Sequence, residues 1–219
     1  MENEIRILEI FAGSKSFSNV ANSKGFKTFS VDWNPFKGID LVADVENLKI
    51  DDFPFVPDVV WASPDCTTYS IASCSTHRSK TIEPKTEYAQ KCDQVNKHLI
   101  GLINEWLKIN SDMIFFIENP RGMLRKMPFM QEFKRQTIWY CQYGDNRAKP
   151  TDIWTNCNTW IPRPACHNGN KNCHHQPSPR GSKNGTQGLA KFYERSKIPK
   201  QLCEEILNVI EKKLAKGQN

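Results

Sequence analysis

Apolar positions along this chain fall into short runs that alternate with helical stripes. Ile5-Arg6-Ile7-Leu8-Glu9-Ile10-Phe11 predicts a strand, and Ala12-Gly13-Ser14 a turn after it. Phe17, Val20 and Ala21 share one face of a short helix closed by Gly25. Residues 27–31 predict a second strand that runs into Asp32-Trp33-Asn34-Pro35, and a short strand is expected before Asp44. Residues 58–62 predict a clear strand, stopped by Ser63-Pro64. The polar stretch 70–84 lacks periodicity and reads as a long loop, of the functional or mobile kind. Tyr88, Cys92, Val95, Leu99, Leu102, Ile103 and Trp106 recur at helical spacing, so residues 86–109 predict the strongest helix. Residues 113–117 predict a buried strand leading into Glu118-Asn119-Pro120, with further strands near 136–141 and 153–155. After an aperiodic stretch rich in Pro, Gly, Asn, Cys and His, residues Leu202, Ile206, Val209, Ile210 and Leu214 mark a C-terminal helix.

Strands alternating with helices predict an α/β fold, a sheet with helices on both faces. In such sheets ligands bind beyond the carboxyl ends of the strands. Gly13, Asp32, Asp44, Cys66 and Glu118 each fall within a few residues of such an end, so five strand ends should bring them to one face. The chain divides into a core over 1–155, a small Cys/His-rich insert over 156–188, and a C-terminal segment, 189–219, that completes the core.

Composition narrows the class. With 38% hydrophobic and 11% aromatic residues in 219, the chain has the material for a packed core and does not read as disordered. No apolar run approaches the roughly 20 residues of a membrane span. The acidic start, Met1-Glu2-Asn3-Glu4, lacks the basic region of a secretory signal. Eight cysteines in that context predict a reducing compartment, the cytoplasm, where they are thiols, metal ligands or nucleophiles. The net charge of +6 is uneven: residues 119–183 hold eleven Lys/Arg against three Asp/Glu. That bias suits a polyanionic partner, or simply a solvated surface.

Four strand ends carry candidate chemistry. Gly13 in the first turn and Asp32 some twenty residues later follow the logic of a nucleoside site, where backbone approaches the ligand and an acid accepts two ribose hydroxyls. Lys15 and Ser16 fill the later glycine positions, which argues against a pyrophosphate cradle and leaves room for S-adenosyl-L-methionine, with Trp33 stacking on the adenine. The plainer reading is an ordinary turn and a core tryptophan. Cys66, just past a buried strand in Ser63-Pro64-Asp65-Cys66, could act as a thiolate nucleophile, although Asp65 beside it opposes an anion. Inert packing is the plainer reading there. Glu118 follows four apolar residues, so desolvation could let it donate a proton near neutrality; the bland alternative is a helix cap or surface acid.

Taken in order, Phe11-Ala12-Gly13, Asp32-Trp33, Asp44, Ser63-Pro64-Asp65-Cys66, Glu118-Asn119-Pro120, Asn146-Arg147-Ala148-Lys149 and Arg195 to Leu202 resemble the motifs of the DNA cytosine-5 methyltransferases, above all their short, phage-type members. The resemblance covers roughly 5–155 and 195–210, and the ordered set is far more specific than any one motif. It implies a Rossmann-like, S-adenosylmethionine-dependent methyltransferase fold. It assigns Cys66 as nucleophile, Glu118 as acid, and Arg147 and Lys149 as holding the base and the backbone. It places Phe11, Gly13, Asp32, Trp33, Asp44 and Ser63 around S-adenosyl-L-methionine. Asp65, Lys15, Ser16, Arg195 and Ser196 depart from the family pattern, which bears on cofactor affinity and on the Cys66 thiol. The implied partner is duplex DNA with the cytosine flipped out, in a bacterial or phage-infected cell, with the 70–84 loop closing as a lid. RNA or another cytosine-bearing substrate is the nearest alternative, and a non-catalytic nucleic-acid-binding protein on the same fold is another. No segment matches the usual recognition domain in size, which leaves specificity to the insert or to a partner subunit.

The insert has its own chemistry. Cys157-x8-Cys166-x6-Cys173-x-His175 offers three thiolates and an imidazole in a stretch too polar to build a core. A tetrahedral structural Zn2+ would supply the folding energy it lacks, with His167 and His174 as rival ligands. Such an ion would fix Arg163, Arg180 and Lys183 on a rigid knob beside the cleft; a flexible basic loop with free thiols is the alternative.

Overall fold

A computed structural model describes residues 4–178 and 192–216. Seven strands form one sheet: β1 (Arg6–Ile10), β2 (Lys27–Asp32), β3 (Leu41–Val42), β4 (Val59–Ala62), β5 (Ile114–Pro120), β6 (Arg135–Trp139) and β7 (Pro150–Thr155), in spatial order β3-β2-β1-β4-β5-β7-β6. The helices are α1 (Ser16–Ser23), α2 (Cys74–His77), α3 (Glu87–Ile109), α4 (Phe192–Ser196) and α5 (Lys200–Lys216). None is long and apolar enough to cross a membrane.

Alternation along the central strands sorts the core into two layers, as expected for strands buried on both faces. Leu8 and Ile10, Val60 and Ala62, and Phe115 and Ile117 pack with Leu99, Ile103 and Trp106 of α3. Their neighbours Ile7, Val59, Trp61, Ile114 and Phe116 pack with Phe17 and Val20 of α1 and Leu202, Ile206 and Ile210 of α5. The Trp61 ring lies stacked against Phe17, centroids 4.6 Å apart.

β1 to β5 run parallel, and one register row joins Ile10, Val31, Leu41, Ala62 and Ile117. The chain leaves that row on one edge, so Phe11, Asp32, Ser63 and Glu118 emerge side by side. β7 is reversed, pairing antiparallel with both β5 and β6. Pro120 pairs with Thr151 and Trp139 with Pro150, so the start of β7 and the end of β6 lie at this same edge.

Two expectations change. The sixth strand ends at Trp139, and residues 140–143 form a 3-10 turn instead of its last two residues. The 70–84 segment contains α2 and is pinned in its middle. Arg78, 3% exposed, donates from Nη2 and Nη1 to Asp93 at 2.8 and 3.1 Å and from Nε to the Thr68 carbonyl at 3.0 Å. Its guanidinium also stacks over Tyr69 at 4.2 Å. A lid that moves along its whole length is therefore not what this segment builds.

Candidate active site

The turn after β1 is shaped by its backbone. Gly13 sits at φ +47°, a left-handed conformation open to glycine, but Phe11 at +57° and Lys15 at +54° adopt it too. Side chains held there cost on the order of 1–3 kcal/mol each, and such strain collects at ligand loops. Lys15 thus keeps a glycine-like backbone where the family pattern has glycine, with its ammonium turned away to the Gly38 carbonyl and to Asp40, 3.3 Å off. Behind the turn, buried Glu9 accepts the N–H groups of Phe17 and Ser18 at 3.2 and 2.8 Å, capping α1 from within the sheet.

Asp32 ends β2 and is 5% exposed. It accepts the Gly13 N–H at 2.9 Å and the Asn34 N–H at 2.8 Å, which locks the two strand ends together. Burial pushes its carboxyl up, and the N–H groups of Asn34, Gly13 and Trp33 act against that rise. Beside it Trp33 is 68% exposed, an indole face with nothing packed over most of it. Asp44 follows β3, accepts the Glu46 N–H at 3.1 Å and pairs with Lys91 at 3.0 Å. Ser63 follows β4, its N–H on the Ile10 carbonyl at 3.1 Å and its hydroxyl accepting from Trp61 Nε1 at 2.9 Å. An edge with open backbone at Gly13, a fixed acceptor at Asp32 and an exposed indole fits a nucleoside without phosphates.

Cys66 lies past β4, half-buried. Burial pushes its thiol up to about 11; Lys149 pulls it down, while Asp65 and Glu118 add to the rise. Asp65 is itself occupied, accepting the Thr67 N–H at 2.7 Å and the Tyr88 hydroxyl. Glu118, 5% exposed, sits near the end of β5 next door, paired with Ile153 of β7. Its Oε1 accepts the Tyr140 hydroxyl at 2.8 Å, and Lys149 Nζ stands 4.0 Å away. The following Asn119 donates from Nδ2 to the Pro64 carbonyl at 2.8 Å, tying the end of β5 to the Cys66 turn. The next turn closes because Gly122 has no side chain: a Cβ there would collide with the Tyr69 carbonyl.

Arg147 and Lys149 reach this edge because β7 is reversed. Arg147 is held by both oxygens of Asp145 and donates to the Arg195 carbonyl at 3.3 Å. Lys149 Nζ lies 4.6 Å from the centre of the Tyr140 ring and 3.5 Å from the same Arg195 carbonyl. The structure therefore gathers a thiol, a carboxyl and two cations on one side, and Phe11, Gly13, Asp32, Trp33, Asp44 and Ser63 on the other. Tyr140 is a residue that sequence reasoning missed; it stands 22 positions from its partner, and no motif marks it.

The metal ligands need a correction. Cys166, Cys173 and His175 do come together, but their fourth neighbour is Cys141. Cys157 is instead buried in the sheet face near Trp160, its N–H on Thr155 Oγ1 at 3.0 Å. β7 runs away from the crevice and carries Cys157 to the opposite edge, while β6 ends at the crevice and delivers Cys141. Arg163 pairs with Glu205 at 2.8 Å, and Arg180 and Lys183 lie outside the described residues.

No family model matches the chain. Over 168 residues it is 26% identical to a protein of Frog virus 3 (isolate Goorha) described as a probable DNA (cytosine-5)-methyltransferase, covering 73% of this chain and 74% of that one. Among solved structures, the Entamoeba histolytica methyltransferase EhMeth superposes with a TM-score of 0.52 at 16% identity, over 70% of this chain and 53% of the other. The S. pombe Dnmt2 methyltransferase gives 0.47 at 13%, over 70% and 49%. The chain thus spans about half the length of those solved structures. The EhMeth likeness supports the Rossmann-like methyltransferase fold.

Proposed function

Because the chain carries the ordered motifs of the cytosine-5 methyltransferases on a methyltransferase fold, we propose that it transfers a methyl group from S-adenosyl-L-methionine to C5 of cytosine in DNA, through a covalent adduct on Cys66. The observation that carries this reading is the placement of Cys66 just past β4 and Glu118 near the end of the adjacent β5, with Asn119 bonded to the Pro64 carbonyl across them and Lys149 4.0 Å from Glu118.

Cytosine C5 is a weak nucleophile inside an aromatic ring. Addition of the Cys66 thiolate at C6, with a proton passed to N3 from Glu118, turns C5 into an enamine carbon. The Tyr140 hydroxyl holds Oε1, which leaves Oε2 for the ring. Lys149, 4.0 Å from the carboxyl and with its charge pulling the thiol down, favours the thiolate and stabilises negative charge that develops on the base. The cofactor supplies an electrophilic methyl on a sulfonium, and Gly13, Asp32 and Trp33 would hold its nucleoside end. Loss of H5 to solvent water, return of the N3 proton to Glu118 and expulsion of the Cys66 thiolate then restore the ring. The target base must leave the duplex first, at a cost of about a few kcal/mol. No step uses the zinc expected in the Cys/His-rich segment.

DNA is the substrate named for the viral relative, and the basic excess over 119–183 suits a polyanion. Incubation with labelled S-adenosylmethionine and DNA or RNA in parallel, followed by nucleoside analysis, should give 5-methylcytosine from DNA. Label in RNA alone would transfer the reading to RNA. Cys66→Ala should abolish transfer with the fold intact, and Glu118→Gln should slow it roughly 10²-fold or more. Retention of a tenth of the wild-type rate by Cys66→Ala would overturn covalent catalysis.

A further inference from the structure

Four ligand atoms, from Cys141, Cys166, Cys173 and His175, all lie within 4.8 Å of one another. A tetrahedral ion about 2.3 Å from sulfur holds its ligand atoms roughly 3.8 Å apart. Cys166 Sγ and His175 Nδ1 already stand 3.9 Å apart. Three of the four residues are buried and Cys173 is half-buried. Amide groups point at the sulfurs: Asn170 Nδ2 lies 3.4 Å from Cys166, and Gln142 Nε2 lies 3.7 Å from Cys173 and 3.8 Å from Cys141. Amide donors of this kind offset the charge of metal-bound thiolates. The segment around them is mostly exposed and irregular, so apolar packing does not account for three converging thiols.

We propose that Cys141, Cys166, Cys173 and His175 bind one structural Zn2+ ion, which staples the 156–178 segment to the turn after β6. Binding displaces three thiol protons and leaves a centre of net charge −1. Metal on Nδ1 puts the ring proton of His175 on Nε2, where the Gly169 N–H now sits at 3.2 Å, so the 167–170 turn shifts on loading. The staple sits next to the catalytic edge. Cys141 is adjacent to Tyr140, the partner of Glu118. On the far side His174 Nε2 contacts the Asp145 carbonyl at 3.0 Å, and the Gln176 N–H donates to the Asn146 carbonyl at 3.1 Å, beside Arg147.

The test uses the full-length protein purified without chelator from zinc-supplemented cells. Roughly one equivalent of zinc is expected. Cys157→Ala should keep it and Cys141→Ser should lose it. Because Cys141→Ser could simply fail to fold, alkylation of the wild-type protein gives a second readout. Chelation should expose Cys141, Cys166 and Cys173 to reagent together and leave Cys157 protected. Replacement by Co2+ should give the intense visible bands of a tetrahedral thiolate site. Absence of zinc, metal retained in Cys141→Ser, a disulfide through Cys141 in unreduced protein, or exposure of Cys157 on chelation in place of Cys141 would each overturn the proposal.

Discussion

A thiol held at about 11 is a reluctant nucleophile at neutral pH, with only about one molecule in ten thousand ionised at pH 7. Its folded value is raised, so the proton stays on through the physiological range and comes off only as pH climbs. Alkylation of Cys66 by iodoacetamide should therefore speed up about tenfold per unit from pH 7 towards 10. A rate that levels off below pH 9 would mean that the thiolate is already stabilised. Tyr140→Phe removes the hydrogen bond on Glu118 Oε1 while keeping the ring beneath Lys149. It should lower kcat by roughly tenfold, about the worth of one hydrogen bond to a charged group, and leave cofactor affinity unchanged. Equal loss in both would instead indicate a general structural role. Cys66 and Glu118 were legible because an apolar run that stops at a polar residue marks a strand end. Tyr140 was not, since a tyrosine inside an expected strand at 136–141 looks like core until its partner is known.

Among the elements, strand positions follow from apolar runs, but a run carries no direction. The reversal of β7 was invisible for that reason, and it decides two outcomes: Arg147 and Lys149 reach the crevice, and Cys157 leaves it. The 70–84 segment was misread for a different reason. Its polar composition says loop, and nothing local reveals that one arginine is buried against an acid of α3. Arg78 and Asp93 are 1% and 9% exposed at their side chains. Arg78→Ala would strip a buried carboxylate of its cation and leave it to the Tyr69 hydroxyl, which donates to it at 2.6 Å. Breaking a buried pair from one side costs about 3–5 kcal/mol, so urea unfolding should show a loss of that size. A loss below about 1 kcal/mol would mean that the pair is solvated and the segment free to move as a lid.

At the scale of the whole molecule, the basic excess of the C-terminal half is smaller than its composition suggests. Arg125 is bound to Asp152, Arg147 to Asp145 and Arg163 to Glu205, and Arg135 stands 3.9 Å from Asp152. Lys134 and Arg135 also sit at the start of β6, the edge away from Cys66. Among the described residues of 119–183 this leaves Arg121, Lys126 and Lys171, exposed and in no ion pair, together with Lys149 at the crevice. Each phosphate neutralised on duplex DNA contributes about −0.9 to the log–log slope of affinity against salt. Four contacts give a slope of about −3 to −4, whereas engagement of all eleven basic residues would give about −10. Arg121 directly follows β5 and its Glu118-Asn119-Pro120 end, where the proposed function would have it meet the backbone next to the target base. Arg121→Ala should weaken DNA binding about equally on all sequences and make the slope shallower by about 0.9. Filter binding or fluorescence anisotropy across a salt series measures both. An unchanged slope in the variant, or a flat one in the wild-type protein, would show that this face does not carry the phosphates.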